Sequence, residues 1–269
     1  MSITLGLIGS GNMGSALIKG IIASKILEAE KIYVSDIDRN KSSKLCEETG
    51  VNLLNSNSEV IDKSSIIVLA VKPKTVEAAL MDCKHKFSPE KILVSVAAGV
   101  PIKRYKEILG KDKKIIRAMP NTPALVREGM TLLSPCSEIK EEELKTVRDL
   151  FNCVGKTEIL NENLMCEVIA LTSSSPAYVF MLIEAMADGA VLSGIPRELS
   201  YKLAAQAVLG SARMVLETSQ HPGVLKDQVC SPAGTTIEAV AKLEEYAFRS
   251  SIIEAMRECT RRARELENS

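Results

Sequence analysis

Hydrophobic residues follow two different patterns in the two parts of the chain. In the N-terminal part they form short continuous runs, separated by polar turns or helix-patterned segments. Such runs are typical of strands buried on both faces, as in a parallel sheet covered by helices. The predicted strands are residues 3–8, 31–34, 51–54, 66–70, 92–96, 115–119 and 157–160, and the clearest helices between them are residues 40–49 and 140–153.

No strand pattern is present from Leu164 onward. Apolar residues there recur at helical spacing, interrupted by short breaks that contain proline and glycine. The predicted helices are residues 177–194, 196–217 and 224–229, one that begins at Thr235, and residues 249–267. We therefore predict fold class α/β, with an open-sheet domain over residues 1–163 and an all-α domain over residues 164–269.

The segment 177–194 is apolar on nearly all its helical faces. It is short for a membrane span and carries Glu184 and Asp188, so we interpret it as a helix of a water-soluble protein. A helix that is apolar all round has to be buried all round. A helical region of about a hundred residues cannot do this alone, so we expect a second copy of the chain to cover it.

The first predicted strand leads directly into a glycine-rich turn, Gly9-Ser10-Gly11-Asn12-Met13-Gly14. An apolar stripe at helical spacing follows it: Met13, Ala16, Leu17, Gly20 and Ile21. A strand, a turn of this type and a helix form the dinucleotide-binding fingerprint, in which the helix start faces the pyrophosphate. This pattern predicts a Rossmann-like domain, and a glycine turn without a ligand is the alternative. Asp36, 22 positions after Gly14, is placed to bind the adenosine ribose.

Small or polar residues follow several of the predicted strands. They include Gly9, Lys72, the segment 97–99 and Asn121. Because ligands of open parallel sheets bind outside the carboxyl ends of the strands, we expect these residues along one edge. Each of them alone would be an ordinary surface loop, but together they favour a cofactor cleft.

Composition excludes several other functions. Lys plus Arg and Asp plus Glu both number 34 in 269 residues, which gives no electrostatic footprint for nucleic acid or an anionic membrane. Seven cysteines without a C-x-x-C pair, and only two histidines, argue against a disulfide framework and a metal site. We read no secretory signal at the start and expect a cytoplasmic protein.

A second stretch with potential chemistry runs from Ser231 to Glu238. Proline and small residues lead there into a helix whose first residues are Thr235 and Thr236. Free N–H groups at such a helix start would bind a carboxylate, and a threonine hydroxyl could donate to a reacting atom. Ordinary N-cap chemistry is the alternative that these residues leave open.

The motifs taken together resemble the pyrroline-5-carboxylate reductase family, from residue 3 to about residue 265 and in family order. Besides the glycine-rich turn, the motifs are Ala70-Val71-Lys72-Pro73, Ala97-Ala98-Gly99-Val100, Asn121-Thr122-Pro123, Ser175-Pro176-Ala177-Tyr178, Ala187-Asp188-Gly189, His221-Pro222-Gly223-Val224-Leu225-Lys226-Asp227 and Ser231-Pro232-Ala233-Gly234-Thr235-Thr236-Ile237. The resemblance implies reduction of the C=N bond of 1-pyrroline-5-carboxylate to L-proline by NADP(H) or NAD(H). It also implies a homodimer or larger homo-oligomer.

The resemblance also implies roles for particular residues. The cofactor contacts would be Gly9, Ser10, Gly11, Asn12, Met13, Gly14, Asp36, Asn57, Ala70, Val71, Lys72, Pro73, Ala97, Ala98, Gly99 and Asn121. The substrate contacts would be Ser231, Ala233, Gly234, Thr235 and Thr236, with Thr236 as the catalytic residue. The segment 172–175 and Ser219 depart from the family pattern, which affects the expected details of substrate binding.

Two other functions remain as alternatives. A β-hydroxyacid-type dehydrogenase would carry a catalytic lysine in the first helix of its second domain, but residues 164–175 contain no lysine. A non-catalytic sensor could bind NAD(P)H with the same fold. For the cofactor, Asp36 favours NADH, whereas Arg39 and Lys41 offset its charge, so we expect both cofactors to be used.

Overall fold

A sheet of eight strands forms the centre of the N-terminal part of the chain in the computed structural model, which describes residues 3–267. The strands are β1 (Leu5–Ile8), β2 (Ile32–Ser35), β3 (Asn52–Leu53), β4 (Ile66–Leu69), β5 (Ile92–Ser95), β6 (Lys114–Met119), β7 (Gly129–Pro135) and β8 (Gly155–Ile159). Their spatial order is β3-β2-β1-β4-β5-β6-β7-β8. Every neighbouring pair is parallel except β6 and β7, which are antiparallel. This arrangement confirms the predicted Rossmann-like fold class.

Seven helices accompany the described sheet and five form the C-terminal part. The first group is α1 (Asn12–Ser24), α2 (Arg39–Thr49), α3 (Asn57–Lys63), α4 (Val76–Met81), α5 (Ile102–Leu109), α6 (Glu141–Asn152) and α7 (Met165–Thr172). The second is α8 (Ser175–Leu192), α9 (Arg197–Thr218), α10 (Pro222–Val229), α11 (Thr235–Glu245) and α12 (Phe248–Glu267). The sequence pattern did not resolve α3, α5 or α7, because two turns of helix are too short for a reliable apolar stripe.

The sheet is buried on both faces, which explains its continuous apolar strands. In β4, Ile66 and Val68 belong to the core on one face, and Ile67 and Leu69 belong to the core on the other. The first core lies under α1, α2 and α6, and the second lies under α3, α4 and α5. Alternate side chains of one strand therefore serve two different cores.

The described chain divides into two compact units. One contains the sheet and extends to Ser173, with the residues from Thr260 added to it, and the other is Ser174–Cys259. The residues from Thr260 belong with the sheet because Arg264 forms two hydrogen bonds with Glu167, at 3.0 and 2.8 Å. We keep the boundary after residue 163 as a proposal for the functional domains, although the compact units divide after Ser173.

The second unit is built around the packing of α8 against α9. Ala187 is the one buried residue of α8, and large apolar side chains of that helix, such as Phe180 and Met181, are exposed. By length and composition, Glu162–Leu192 is the one described helical stretch that could cross a membrane, although Glu184 and Asp188 interrupt it. In the single chain, α8 therefore leaves much apolar surface uncovered.

Candidate active site

The glycine-rich turn after β1 has a tight geometry that two of its glycines make possible. Gly9 has a φ of 96°, and a Cβ there would lie 2.6 Å from the Ala70 carbonyl oxygen. At Gly14, a Cβ would collide with the Gly9 carbonyl oxygen and would lie 3.1 Å from Leu7. The first position therefore needs glycine for the turn, and the second needs it for close packing of α1 on the sheet.

Gly11 differs from these two glycines because no atom of residues 3–267 lies within 4 Å of the place where its Cβ would be. It is the N-cap residue of α1, and no side chain in the described part of the molecule caps this helix. The first N–H groups of α1 are therefore uncapped and lie beside a residue without a side chain. A pyrophosphate fits this arrangement, because it is an anion that binds helix N-termini and needs close approach to the backbone.

The Asp36 carboxylate, predicted to bind the adenosine ribose, contacts the glycine-rich turn. Its Oδ2 accepts hydrogen bonds from the Ser10 amide at 2.5 Å and from the Ser10 hydroxyl at 2.9 Å. Its Oδ1 accepts from the Asp38 amide at 2.8 Å. Asp36 therefore ties the end of β2 to the turn, and three of the roughly four acceptor sites of a carboxylate are already used.

The other predicted strand ends form one continuous edge. Backbone hydrogen bonds join Gly9 to Ser35 at 2.9 Å, Ala70 to Ile8 at 2.8 Å, and Val96 to Leu69 at 3.0 Å. Beyond these bonds, Lys72, Pro73 and Ala98 are exposed, and Gly99 has a φ of 73°. The structure thus brings the ends of β1, β2, β4 and β5 together, while the cofactor contacts of the individual residues remain predictions.

Two residues predicted to contact the cofactor use their side chains within the fold. The Asn57 amide accepts from the Ser35 hydroxyl at 2.8 Å and donates to the Ala79 carbonyl at 3.1 Å. The Asn121 amide donates to the Thr172 carbonyl at 3.0 Å and accepts from the Met130 amide at 2.9 Å. Both side chains therefore hold loops in place, and any role toward the cofactor would be additional.

A cleft of about 630 Å³ borders the glycine-rich turn. Its wall includes Ser10, Gly11 and Asn12, and it extends along α1 to the cationic side chains of Lys44 and Arg127. This part of the described surface is therefore open and carries positive charge beside the uncapped start of α1. Both properties suit a dinucleotide with an anionic phosphate chain.

The second motif forms a tight turn in the C-terminal unit. The Gly234 amide donates to the Ser231 carbonyl at 3.0 Å, Pro232 follows Ser231, and Ala233 has a φ of 55°. A proline followed by a residue with positive φ is typical of a type II turn, in which glycine normally takes the place of Ala233. The turn leads directly to Gly234, the N-cap residue of α11, and this helix also has no side-chain cap from the described residues.

The first turn of α11 presents free hydrogen-bonding groups. Thr235 is exposed and Thr236 is half-buried, and neither hydroxyl has a partner among residues 3–267. The first backbone N–H groups of the helix have no side-chain cap. Several donors therefore lie within one helical turn, which is what a small ligand with a carboxylate requires.

The remaining candidates for chemistry are His221, the cysteines and a metal site. The His221 Nδ1 accepts from the Gly223 amide at 3.1 Å and so caps α10, in agreement with its interpretation as a turn residue. All seven cysteines are free thiols. In the described part of the chain, no three His, Cys, Asp or Glu side chains are grouped as metal ligands.

Three polar residues near this edge were not singled out from the sequence. Arg117 lies buried in β6, Tyr105 lies buried in α5, and Glu162 lies at the start of the segment before α7. The sequence did contain a signal for Arg117, because a charged residue inside an apolar strand pattern requires a buried partner. The partners themselves are far apart in sequence and could not be deduced from it.

Comparison with known proteins agrees with this geometry. The family model for pyrroline-5-carboxylate reductase dimerisation matches residues 162–266, and the model for NADP oxidoreductase, coenzyme F420-dependent, matches residues 4–99. Pyrroline-5-carboxylate reductase from Escherichia coli (strain K12) is 48% identical over 98% of both chains. A reductase structure from Coxiella burnetii has a TM-score of 0.93 at 32% identity, with 99% of each chain covered. One from Plasmodium falciparum, with NADP bound, has a TM-score of 0.88 at 33% identity, covering 99% of this chain and 98% of that one.

The wound sheet, the glycine-rich turn and the helical C-terminal part define a dinucleotide-dependent oxidoreductase, which uses NADP(H) or NAD(H). High identity over nearly the whole chain then fixes the family. The chain belongs to the pyrroline-5-carboxylate reductase family.

Proposed function

We propose that this protein reduces the ring C=N bond of 1-pyrroline-5-carboxylate to give L-proline, with NADPH or NADH as the reductant. The observation that carries the proposal is the first turn of α11, which contains uncapped N–H groups and two threonine hydroxyls without a partner in the described residues. This site suits a small anion that also carries a polar reacting atom. A relative that matches 98% of this chain is named pyrroline-5-carboxylate reductase.

The glycine-rich turn is the proposed cofactor site. Gly11 lets the pyrophosphate reach the first N–H groups of α1, and Asp36 holds Ser10 in the required position. The segments 70–73 and 97–99 line the same edge, where the nicotinamide half would lie. When bound, the dihydronicotinamide supplies a hydride.

The first turn of α11 is the proposed carboxylate site. The N–H groups of Thr235 and Thr236 lie in this turn, where the positive end of the helix dipole adds to their attraction for an anion. Glycine at position 234 leaves no side chain to compete for these donors. The turn at Ser231 and Ala233 sets the direction from which the helix begins.

Thr236 is the proposed catalytic residue. Its hydroxyl would donate a hydrogen bond to the imine nitrogen and so orient the C=N bond. In the reaction, the π bond of C=N breaks, a C–H bond forms with the hydride, and an N–H bond forms with a proton. Because the pKa of an alcohol is very high, water rather than Thr236 would deliver that proton, while the Thr236 hydrogen bond strengthens as charge develops on nitrogen.

For the cofactor, we infer that both NADPH and NADH are used. The charge of Asp36 opposes the 2′-phosphate of NADPH. Arg39 is a fixed cation nearby in sequence, since its guanidinium donates to the Leu54 carbonyl at 3.2 Å and to the Asn55 side chain at 3.0 Å. We expect Asp36 to limit the use of NADPH and Arg39 to support it.

We also infer a homo-oligomer and a cytoplasmic location. Exposed apolar side chains on α8, with the dimerisation family model over this region, support a second copy as the cover. Seven free thiols are typical of a reducing compartment.

The fluorescence of NADPH tests the proposed activity against a non-catalytic sensor. With purified protein and 1-pyrroline-5-carboxylate, we expect the fluorescence to decay while one L-proline forms for each NADPH consumed. Binding of NADPH without its oxidation would favour the sensor. A β-hydroxyacid dehydrogenase is disfavoured, because residues 164–175 carry no lysine for its catalytic role.

A further inference from the structure

The loop that follows β5, residues 97–101, contains the Ala97-Ala98-Gly99 motif. It lies between Ser95, the last residue of β5, and Ile102, the first residue of α5. Gly99 has a φ of 73°, and no described atom lies within 4 Å of the place where its Cβ would be. The loop therefore has open space around Gly99. Its conformation depends on how the residues at its two ends are held.

The first end is held by a buried pair of hydroxyls. The Ser95 and Tyr105 hydroxyl oxygens lie 2.5 Å apart, and the Ala97 amide donates to the Ser95 hydroxyl at 3.2 Å. Burial raises the pKa of Tyr105 to about 12, so its hydroxyl remains protonated and available for this hydrogen bond. Tyr105 belongs to α5, and it therefore ties the helix after the loop to the strand before it.

The second end is held by Glu162, which is distant in sequence. The Ile102 amide donates to the Glu162 Oε1 at 2.7 Å. Pro101 is the N-cap residue of α5 and has no side-chain group that could accept this hydrogen bond. Glu162 therefore takes the role of the missing cap, and its negative charge also suits the start of a helix.

The position of the Glu162 carboxylate is set by a buried cation. The Arg117 Nη1 lies 3.4 Å from the same Glu162 oxygen and 2.8 Å from the Glu267 Oε1. The Arg117 side chain is only 4% exposed, and it lies within the central sheet. A guanidinium fixed in this way holds the carboxylate in one place.

We propose that Glu162 is a positioning residue for the cofactor, acting through its hydrogen bond to the Ile102 amide, which holds the loop 97–101 in its binding conformation. Arg117 positions Glu162, and the Ser95–Tyr105 pair holds the opposite end of the loop. None of these four side chains has to contact the cofactor. The inference rests on the proposed function only in that the loop lines the cofactor site.

Glu143 offers a matched control in the same unit. Its carboxylate also accepts a hydrogen bond from a backbone amide at a helix start, here the N-cap residue Lys140 at 2.9 Å, and also pairs with a cation, Lys114, at 2.6 Å. Glu143 belongs to α6, which is separate from the loop 97–101. Glu143→Ala therefore removes the same kind of interaction without touching the loop.

Hydrogen–deuterium exchange and cofactor titration test the proposal on the full-length protein. In Glu162→Ala, we expect faster exchange in peptides that span residues 97–104, and a Kd for NADPH, measured by fluorescence without substrate, about fivefold higher. That factor corresponds to losing a helix-capping hydrogen bond worth about 1 kcal/mol. Glu162→Gln keeps an oxygen that can accept from Ile102, so it should restore at least half of the lost affinity.

The control decides whether the effect is specific. Glu143→Ala should leave both the exchange of residues 97–104 and the Kd for NADPH within twofold of the unaltered protein. Equal effects of the two alanine variants would overturn the proposal, as would unchanged loop exchange in Glu162→Ala. Because exchange is measured without substrate or turnover, these outcomes are separate from whether the unaltered protein reduces 1-pyrroline-5-carboxylate.

Discussion

Asp36 and Ser10 are joined by two hydrogen bonds, from the amide and the hydroxyl of Ser10 to the same carboxylate oxygen of Asp36. These hydrogen bonds hold the glycine-rich turn against the end of β2. An acid at this position is normally assigned to the ribose, but here it also supports the turn that would hold the pyrophosphate. Its charge and its supporting role can be separated experimentally.

The ratio of cofactor affinities tests the charge of Asp36. In Asp36→Ser, removal of a repulsion on the order of 1–4 kcal/mol should lower the KM for NADPH relative to that for NADH. Steady-state kinetics with each cofactor provides the measurement. If both KM values rise by the same factor, Asp36 serves only to support the turn.

Substitutions at Gly11 and Gly14 distinguish a glycine that leaves room for the ligand from one that allows close packing within the protein. The methyl group of Gly11→Ala meets no atom of residues 3–267, so the melting temperature should stay nearly constant. The affinity for NADPH should fall at least about tenfold, because this methyl group occupies the phosphate site. Gly14→Ala should destabilise the fold by about 1–3 kcal/mol, because its Cβ collides with the Gly9 carbonyl. Thermal unfolding and NADPH titration of both variants check this. An unaltered NADPH affinity in Gly11→Ala would contradict the assigned site.

The ion pair of Glu138 and Lys106 should contribute to the pH dependence of stability. The Lys106 ammonium donates to Glu138 at 2.6 Å and, with a hydrogen bond from Cys136, lowers the pKa of Glu138 from 4.5 to about 2. Because the folded-state pKa is the lower one, the contribution is present above the unfolded pKa and is lost as the pH falls toward 2. Urea unfolding of Glu138→Gln between pH 6 and 3 should show a shallower decline than the unaltered protein. Identical slopes would mean that the pair contributes nothing.

The exposed face of α8 predicts the oligomeric state. Phe180 is 64% exposed and Met181 is 68% exposed in the single chain. Light scattering should therefore give at least twice the chain mass of 29.2 kDa, and Phe180→Glu should shift the protein toward monomer. An active monomer without any substitution would contradict the expected dimer.

The sequence alone predicted features whose pattern lies within neighbouring residues of the chain. The three glycines of the first turn lie between an apolar run and a helical stripe, so the turn and its ligand class followed from spacing. The strand β7 was not predicted, and the reversal of direction between β6 and β7 could not be, because a pattern of buried residues carries no information about strand direction.

Features that depend on distant partners could not be predicted. Glu162 and the Ile102 amide are 60 residues apart, and Asp36 and Ser10 are 26 apart. In the sequence, Glu162 is one of many acidic residues, and nothing near it indicates a helix that lacks its own cap. Asn57 was assigned by resemblance alone, and Asn121 by resemblance and by its place after a predicted strand. The structure adds hydrogen bonds that neither signal contained.

The kcat of Thr236 variants tests the central claim most directly, namely that the first turn of α11 orients and polarises the imine. Loss of one such donor typically costs about 10²–10³ in kcat, so Thr236→Ala should fall by that much or somewhat less, while Thr236→Ser keeps most activity. In both variants the Kd for NADPH should stay within about twofold, since Thr236 is not assigned to the cofactor. Full kcat in Thr236→Ala would contradict the account and would leave the hydroxyl without a role in catalysis.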